Sequence, residues 1–336
     1  MAETVNEPTT NRMAKQGIDV GPGHELGWYD TGTPGPLLIL SAGMHGNEPA
    51  GVFALQRIFA WLTDHNVPVS GQIAGLVGNV HALQLGLRYI DRDLNRKWDR
   101  QSVNSLLRDG PGQDAEDLEQ LELIGEFDRL TEGHALGTAT GEVCLLDLHT
   151  MSSHGVPFVV TCDRPQSKVL ASQLGLPGIA GLEKAIPGTT LEYFLHRGFT
   201  ALAVEGGQHD APETSMLLEV VAWNMLVATG SVQLADLPDL TEHRRVLAEA
   251  SAGKPTQVTV THRHGVRPED RFEMLPGFAN LQPVQAGQRL AKDKRGDILA
   301  PRDGWILLPL YQAAGSDGFF IGVEGGEPLP SQQPAS

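Results

Sequence analysis

Cysteine residues and long apolar runs are both scarce in this sequence, and each scarcity excludes a class of protein. The two cysteines, Cys144 and Cys162, are too few for a disulfide framework and favour a reducing cytoplasm. The longest apolar runs, such as 36–43, are far shorter than the roughly 20 residues of a membrane-spanning helix. Met1–Thr10 is polar and acidic, unlike a secretory signal. We therefore expect a cytoplasmic protein without membrane contact.

Positive charge is also scarce, because 25 basic side chains stand against 41 acidic ones and give a net charge of −16. A protein that follows a phosphate backbone needs a basic stripe, so this composition argues against nucleic-acid binding. An acidic protein that handles an anionic substrate needs a local group of arginines instead.

The 336 residues are enough for about two domains. From about residue 35 to 230, short apolar segments alternate with helical patterns, which predicts a mostly parallel, mixed α/β sheet with helices on both faces. After a variable stretch at 234–255, turn signals recur at spacings of roughly 8–12 residues and favour a small all-β barrel or sandwich. The predicted segments are an N-terminal tail (1–24), an α/β domain (25–240), a β domain (256–326) and a C-terminal tail (327–336).

Polar clusters follow the predicted strands at their C-terminal ends, the edge where open α/β sheets bind ligands. His45 and Glu48 stand three residues apart on a glycine-containing turn, and His149 ends a buried strand. Two histidines and one glutamate form a recurring catalytic zinc set with a position left for water. Asp147 points to the same side of its strand as His149 and can orient that imidazole. Taken alone, each residue also fits an ordinary role, as a helix-capping glutamate or a hydrogen-bonded strand-end histidine.

Two further clusters concern charge and proton transfer. Three arginines and Asn95 lie within segment 88–96, where guanidinium groups can bind a carboxylate; a charge run neutralised by its own aspartates is the alternative. Glu205 ends an apolar strand and precedes two glycines, which suits a general base beside a zinc-bound water. A structural ion pair with an arginine is the alternative for Glu205.

Taken together, these clusters resemble the aspartoacylase and succinylglutamate desuccinylase family, relatives of the zinc carboxypeptidases. The resemblance runs from about Leu37 through Trp305, and its motifs stand in the family's order. They are His-Gly-Asn-Glu at 45–48, Arg-Tyr-Ile-Asp-x-Asp-Leu-Asn-Arg at 88–96, Asp-Leu-His at 147–149 and Glu-Gly-Gly at 205–207. The resemblance implies a zinc carboxypeptidase-like fold.

The same resemblance implies a reaction centre. One zinc ion per chain would be held by His45, Glu48 and His149. Glu205 would act as general base and acid, and Arg88 would polarise the scissile carbonyl and stabilise the oxyanion that follows attack. The implied reaction is hydrolysis of the amide bond of a small N-acyl amino acid or N-acyl amine, which releases a carboxylate and a free amine.

The remaining site residues are also implied by the resemblance. Asn95 and Arg96 would bind the carboxylate of the substrate's amino-acid part. Asp147 would orient a zinc-binding histidine, and Asp93 would support the arginines. The sequence therefore predicts a small anionic substrate at this segment.

The sequence departs from aspartoacylase at two positions. Leu195 stands ten residues before Glu205, where aspartoacylase has a substrate-binding arginine, and Arg197 is the nearby candidate to replace it. Segment 312–320 contains no tyrosine, although aspartoacylase contributes one from this region. These departures argue against N-acetylaspartate as the substrate and leave the acyl group and the amine unassigned.

Two other functions use the same residues. A zinc carboxypeptidase would apply the site to short peptides, and a non-catalytic protein would keep the fold to bind a small anion. We expect the β domain to cap the site and select substrates by size. The sequence leaves homo-oligomer formation open.

Overall fold

The computed structural model describes residues 18, 20–21, 23–136 and 142–330. Its strands are β1 (Glu25–Asp30), β2 (Thr33–Ala42), β3 (Ser70–Val77), β4 (Val143–Met151), β5 (Phe158–Thr161), β6 (Gly178–Ala180), β7 (Thr200–Gln208), β8 (Gln257–Gly265), β9 (Glu273–Met274), β10 (Gln282–Val284), β11 (Arg289–Asp293), β12 (Gly296–Leu299), β13 (Gly304–Leu307) and β14 (Asp317–Val323). Its α-helices are α1 (Ala50–Asp64), α2 (Val80–Leu85), α3 (Arg100–Asp109), α4 (Ala115–Leu136), α5 (Pro165–Gln173), α6 (Leu182–Ala185), α7 (Thr190–His196), α8 (Thr214–Ala228) and α9 (Thr241–Ser251). Short 3-10 helices lie at Leu94–Arg96, Leu234–Asp236 and Pro268–Asp270.

Eleven of these strands form one sheet in the order β1-β3-β2-β4-β7-β5-β6-β8-β14-β13-β10. Its centre is parallel, because β2 pairs in parallel with both β3 and β4, and β4 pairs in parallel with β7. The antiparallel pairs include β1 with β3, β5 with β7, and β8 with β14. Parallel neighbours bring the carboxyl ends of β2, β4 and β7 to one edge.

Helices cover both faces of the central sheet. Along β2, Leu38 and Leu40 pack into one apolar cluster with α1 and α8, while Leu37 and Ile39 pack into a second cluster with α4 and α7. The side chains alternate because successive residues of a strand point to opposite faces. A strand buried on both faces reads as a continuous apolar run, which explains the sequence pattern. The predicted fold class is confirmed.

The C-terminal strands extend this sheet. Strand β8 pairs in parallel with β6, and β14, β13 and β10 follow it in antiparallel order. A separate three-stranded sheet, β12-β11-β9, lies over a smaller apolar cluster. The predicted boundary between the two domains stays a prediction, and helix α9 occupies part of the variable stretch at 234–255.

The two predicted tails lie mostly outside the described residues. His24, within the predicted N-terminal tail, is buried and its Nδ1 lies 2.8 Å from the Val77 carbonyl oxygen. Leu329, within the predicted C-terminal tail, donates its backbone N–H to Val260. Among the described residues, no helix is long and apolar enough to span a membrane.

Candidate active site

The candidate site lies at the carboxyl edge of three neighbouring strands. His45 follows β2, His149 lies near the end of β4, and Glu205 lies in β7. The β4–β7 register makes His149 and Glu205 direct partners across the strand pair. Residues distant in the sequence therefore share one edge of the sheet, as the parallel pattern predicts.

A tightly packed turn presents His45 and Glu48. The turn is closed by a 3.0 Å hydrogen bond from the Glu48 backbone N–H to the His45 carbonyl oxygen. Gly46 touches the first turns of α2 so closely that an added Cβ would come within 2.1 Å of the Ala82 backbone. Its N–H donates to the Arg88 carbonyl oxygen at 3.1 Å. Glycine is therefore required here because the two backbones approach too closely for a side chain.

Three buried side chains converge on a possible cation position. Nδ1 of His45 lies 2.9 Å from Oε1 of Glu48, and Nδ1 of His149 lies 3.2 Å from Oε2 of the same carboxylate. One candidate ligand atom from each residue lies within 4.8 Å of the others, a group that can hold a metal ion. The backbone N–H of Thr150 donates to Glu48 at 3.0 Å and fixes the carboxylate.

The opposite nitrogen of each imidazole faces another carboxylate. Nε2 of His45 lies 3.1 Å from Oδ1 of Asp93, and Nε2 of His149 lies 3.1 Å from Oδ2 of Asp147. A carboxylate behind an imidazole fixes the ring and its tautomer. Asp93 thus contacts a histidine as well as the arginines with which the sequence associated it.

Charge is strongly coupled within this group. Burial raises the pKa of Glu48, but the charge on His45 and hydrogen bonds with both histidines hold that pKa well below its usual value. Burial lowers the pKa of His149, but Asp147 and Glu48 raise it well above its usual value. The imidazoles and carboxylates therefore stabilise one another's charges inside the protein.

Glu205 differs from the other carboxylates of this edge. Glu205 lines a pocket that is also lined by His45, Glu48 and His149. Its Oε2 atom is buried without a hydrogen-bond partner among the described residues. Burial raises the pKa of Glu205 to about 8, and the negative charge of Glu48 adds to the increase. A carboxyl group with a raised pKa and an unpaired oxygen is suited to accept and release a proton.

Two of the three arginines of segment 88–96 line the pocket, and the third does not. Arg88 donates to Asp93 at 3.0 Å and to Glu48 at 3.4 Å, and its buried Nε has no partner in the part of the chain that the structure describes. Arg96 also lines the pocket. Arg92 instead pairs with Asp117 of α4 and does not line this pocket.

Arg197 lies apart from the pocket. Its guanidinium group donates to Asp128 at 2.6 Å and to the Tyr193 hydroxyl at 2.7 Å, and stacks over the Phe199 ring. Arg197 is not among the pocket-lining residues. The structure therefore does not place this candidate with Asn95 and Arg96, the other two residues predicted to bind substrate.

The sequence comparison decides the family. A family model described as "Succinylglutamate desuccinylase/Aspartoacylase catalytic domain" matches residues 34–209, which is more than half of the chain and includes every residue of the metal-ligand group. The chain belongs to this family. The family is one of hydrolases that remove acyl groups.

Two relatives match this chain over regions of different length. The succinylglutamate desuccinylase of Serratia proteamaculans is 29% identical over 307 residues, covering 88% of this chain and 85% of that protein. The succinylglutamate desuccinylase of Pseudomonas paraeruginosa is 32% identical over 125 residues. That second match spans 34% of the relative's length, about a third.

A solved structure shares the fold of this chain. The crystal structure of a succinylglutamate desuccinylase/aspartoacylase from Rhodobacter sphaeroides aligns with a TM-score of 0.62 at 17% identity, covering 88% of this chain and 87% of the other. The similarity therefore extends through the C-terminal strands and supports the common architecture.

Several residues that hold the site residues in place lie outside the sequence motifs. Thr190, at the start of α7, donates its hydroxyl to Asp147 at 2.7 Å and its backbone N–H to Oδ1 of Asn95 at 2.8 Å. Ser41 donates to the other oxygen of Asp147 at 2.7 Å. Glu116 of α4 is buried and accepts the backbone N–H groups of residues 90–92. These contacts fix Asn95 and the arginine segment through residues far away in the sequence.

The C-terminal region forms one wall of the pocket. Gln312 accepts a hydrogen bond from Nδ2 of Asn47 at 3.0 Å and lies 3.3 Å from Nε2 of His209. The backbone N–H of Tyr311 donates to the Ser152 hydroxyl at 3.0 Å. The pocket-lining residues from this region are Leu308, Leu310, Gln312, Gly315, Ser316, Asp317 and Phe320.

Proposed function

We propose that this protein is a zinc-dependent hydrolase that cleaves the amide bond of a small N-acyl amino acid or related N-acyl amine. The observation that carries the proposal is the convergence of His45, Glu48 and His149 beside Glu205, whose buried Oε2 lacks a partner among the residues that the structure describes. Membership of a deacylase family supports the reaction class. The zinc dependence and the substrate class are our proposal.

The chemistry of the donor set fits zinc. Two imidazole nitrogens and one carboxylate form a set typical of catalytic zinc sites, which keep one position for water or substrate. His45 and His149 direct Nδ1 toward Glu48, while Asp93 and Asp147 lie against the Nε2 atoms. This leaves the Nδ1 atoms as the ligand atoms. When bound, zinc would act as a Lewis acid and lower the pKa of a water molecule toward neutrality.

Glu205 is proposed to transfer the proton. Its unpartnered Oε2 accepts a proton from the attacking water and later delivers that proton to the leaving nitrogen. The hydroxide adds to the carbonyl carbon, the C–N bond breaks, and the nitrogen leaves as a neutral amine. The raised pKa of Glu205 supports both halves of this transfer, because such a group holds and releases a proton near neutral pH.

The arginines are proposed to bind the polar parts of the substrate. Within the described ranges of the chain, Nε of Arg88 and Nε of Arg96 are buried without partners, so each guanidinium group has a donor for a substrate oxygen. Arg88, which contacts Glu48, is assigned to the scissile carbonyl and its oxyanion. Arg96, beside Asn95, is assigned to the carboxylate of the amino-acid part. Arg197 is left out of this assignment because it lies apart from the pocket.

The C-terminal wall favours small substrates over peptides. Residues Gln312 and Tyr311 connect this wall to the rim of the site through Asn47 and Ser152. A peptidase requires room for a chain on at least one side of the scissile bond. These contacts across the rim support the small N-acyl compound as substrate over the carboxypeptidase alternative.

Release of free amine tests the proposal. Zinc-loaded protein is incubated with N-acetyl, N-succinyl and N-formyl amino acids and diamines, next to the variant Glu205→Ala. The proposal requires amine release from at least one compound by the wild type and none by the variant. Release of C-terminal residues from short peptides, with every N-acyl compound untouched, would favour the peptidase. Tight ligand binding without turnover by either protein would favour the non-catalytic alternative.

A further inference from the structure

Two of the four carboxylates that line the pocket have an unpaired oxygen. They are Glu205, to which we assign proton transfer, and Glu183 of α6, whose Oε2 is buried without a hydrogen-bond partner in the described part of the chain. Glu48 has both oxygens engaged by the two histidines and by Thr150. The proposed reaction assigns roles to Glu205 and Glu48 but none to Glu183.

The fourth pocket carboxylate, Asp317, is paired with arginines and contrasts with Glu183. Asp317 accepts from Arg263 through Oδ1 and from Arg96 through Oδ2, the latter at 3.4 Å. Lys184, the cation next to Glu183 in the sequence, lies 3.8 Å from Asp163. Among the described residues, no ion pair joins Glu183 to a basic side chain within 4.0 Å. An ionised carboxylate in this position is stabilised when a ligand brings a cation to it.

The pocket cations are already matched by carboxylates of the chain. Arg88 pairs with Asp93 at 3.0 Å, and Arg96 pairs with Asp317 at 3.4 Å. Each guanidinium group retains one donor without a partner among the described residues, but both groups already form ion pairs with carboxylates of the chain. A substrate with a second carboxylate would find no unpaired cation among the described pocket residues.

Apolar side chains share the pocket with Glu183. They include Val160, Leu182, Ile186, Leu191, Leu308 and Phe320. An alkyl chain that ends in an ammonium group matches such a surface, because its methylene groups contact the apolar side chains and its charged end needs an anionic partner. A short acidic side chain matches neither property.

We propose that Glu183 binds a second, cationic nitrogen of the substrate, so that the preferred substrates are N-acyl derivatives of diamines or diamino acids. The inference rests on the proposed function and specifies its substrate class. The acyl group is removed from one nitrogen at the site of Glu205, while the other nitrogen stays protonated and contacts Glu183. Glu183 acts through binding and takes no part in bond breaking.

A matched set of substrates tests this assignment. Nα-acetyl-ornithine carries a side-chain ammonium group where N-acetylnorleucine carries a methyl group, and N-acetylglutamate carries a carboxylate on a side chain of similar reach. With zinc-loaded wild type, kcat/KM is expected to be highest for the ornithine compound. Glu183→Gln should lower that value by about tenfold to a hundredfold, mainly through KM, and leave the norleucine compound nearly unchanged.

Two variants and a binding measurement complete the test. Glu132→Gln makes the same change on the exposed surface of α4 and should behave like wild type. Glu183→Asp retains the charge and should recover part of the preference. Calorimetry should show that zinc-loaded wild type binds ornithine, the product, about tenfold more tightly than Glu183→Gln does.

The outcomes separate this inference from the proposed function. Equal or better hydrolysis of the norleucine or glutamate compound, with no effect of Glu183→Gln, would overturn the inference and leave the deacylase intact. Silence on every acyl compound would contradict the proposed function instead. In that case, the calorimetric comparison still decides whether Glu183 binds a cation, because equal ornithine binding by both proteins would overturn the assignment.

Discussion

Oδ2 of Asp147 lies 3.1 Å from Nε2 of His149, two residues further along the same buried strand. Ser41 and Thr190 each donate to Asp147 at 2.7 Å, so the carboxylate is fixed on both of its oxygens. The imidazole is thereby held with Nδ1 toward Glu48. The orientation of the His149 imidazole is therefore set by contacts at the sheet and not by a loop.

Weakening that support should weaken zinc binding. Asp147→Asn is expected to reduce zinc affinity by about tenfold to a hundredfold, because the amide orients the imidazole less strongly than a carboxylate does. Competition with a chelator of known affinity measures the change. Asp163→Asn, on an exposed aspartate, is the matched control and should bind zinc like wild type. Equal affinities for Asp147→Asn and wild type would refute the orienting role.

Removing the proposed proton carrier should abolish turnover without removing the metal. Glu205→Gln keeps the shape of the side chain but cannot accept the proton, so kcat should fall by about 10²–10⁴-fold. Zinc content, measured by elemental analysis, should equal that of wild type because Glu205 is not one of the three proposed ligands. A variant that retains zinc and most of its kcat would exclude Glu205 from proton transfer.

Arg88 should affect the transition state more than the bound substrate. Arg88→Lys keeps the charge but loses the forked donors, so kcat should fall by about 10²–10³-fold with a small change in KM. Arg92→Lys makes the same change at a guanidinium group that pairs with Asp117 outside the pocket, and should retain activity. Steady-state kinetics of both variants measure the contrast. A rise in KM alone for Arg88→Lys would indicate ground-state binding instead.

The turn that presents His45 and Glu48 should not accept a side chain. Gly46→Ala places a methyl group within 2.1 Å of the Ala82 backbone, so the turn must move and zinc affinity should fall. Gly125→Ala is the control, because the added methyl group at this position in α4 meets no atom within 4 Å and should stabilise the helix by about 0.5–1 kcal/mol. Thermal unfolding and zinc titration of both variants distinguish the two effects. Unchanged zinc affinity in Gly46→Ala would show that the turn adapts.

The sequence predicts the central α/β elements well, because each is a long apolar pattern bounded by glycine or proline. The alternation of apolar segments and helical patterns predicted from about residue 35 to 230 contains α1 at Ala50–Asp64 and α7 at Thr190–His196. Helix α9 is not predicted, since its sequence is polar and only Leu247 is buried within it. Strand β1 is not predicted either, because it is a half-exposed edge strand.

The site is predictable to the extent that its residues stand at strand ends. The sequence motifs point to His45, Glu48, His149 and Glu205 because a parallel sheet brings those ends together. The contacts of Thr190 with Asp147 and of Asp317 with Arg96 have no such signal. The second of these pairs spans 221 residues, and the folded chain shows that the C-terminal region lines the pocket.

Zinc dependence is the central claim, and a titration of metal-free protein tests it most directly. Protein treated with a chelator is returned to activity with measured equivalents of zinc while amine release from its best N-acyl substrate is followed. The account predicts no turnover without metal and a rise that saturates at about one zinc per chain, the ratio of a site with a single ligand set. His149→Ala should show no such saturation. Full turnover by the metal-free protein, or saturation of His149→Ala at the same ratio, would contradict the account.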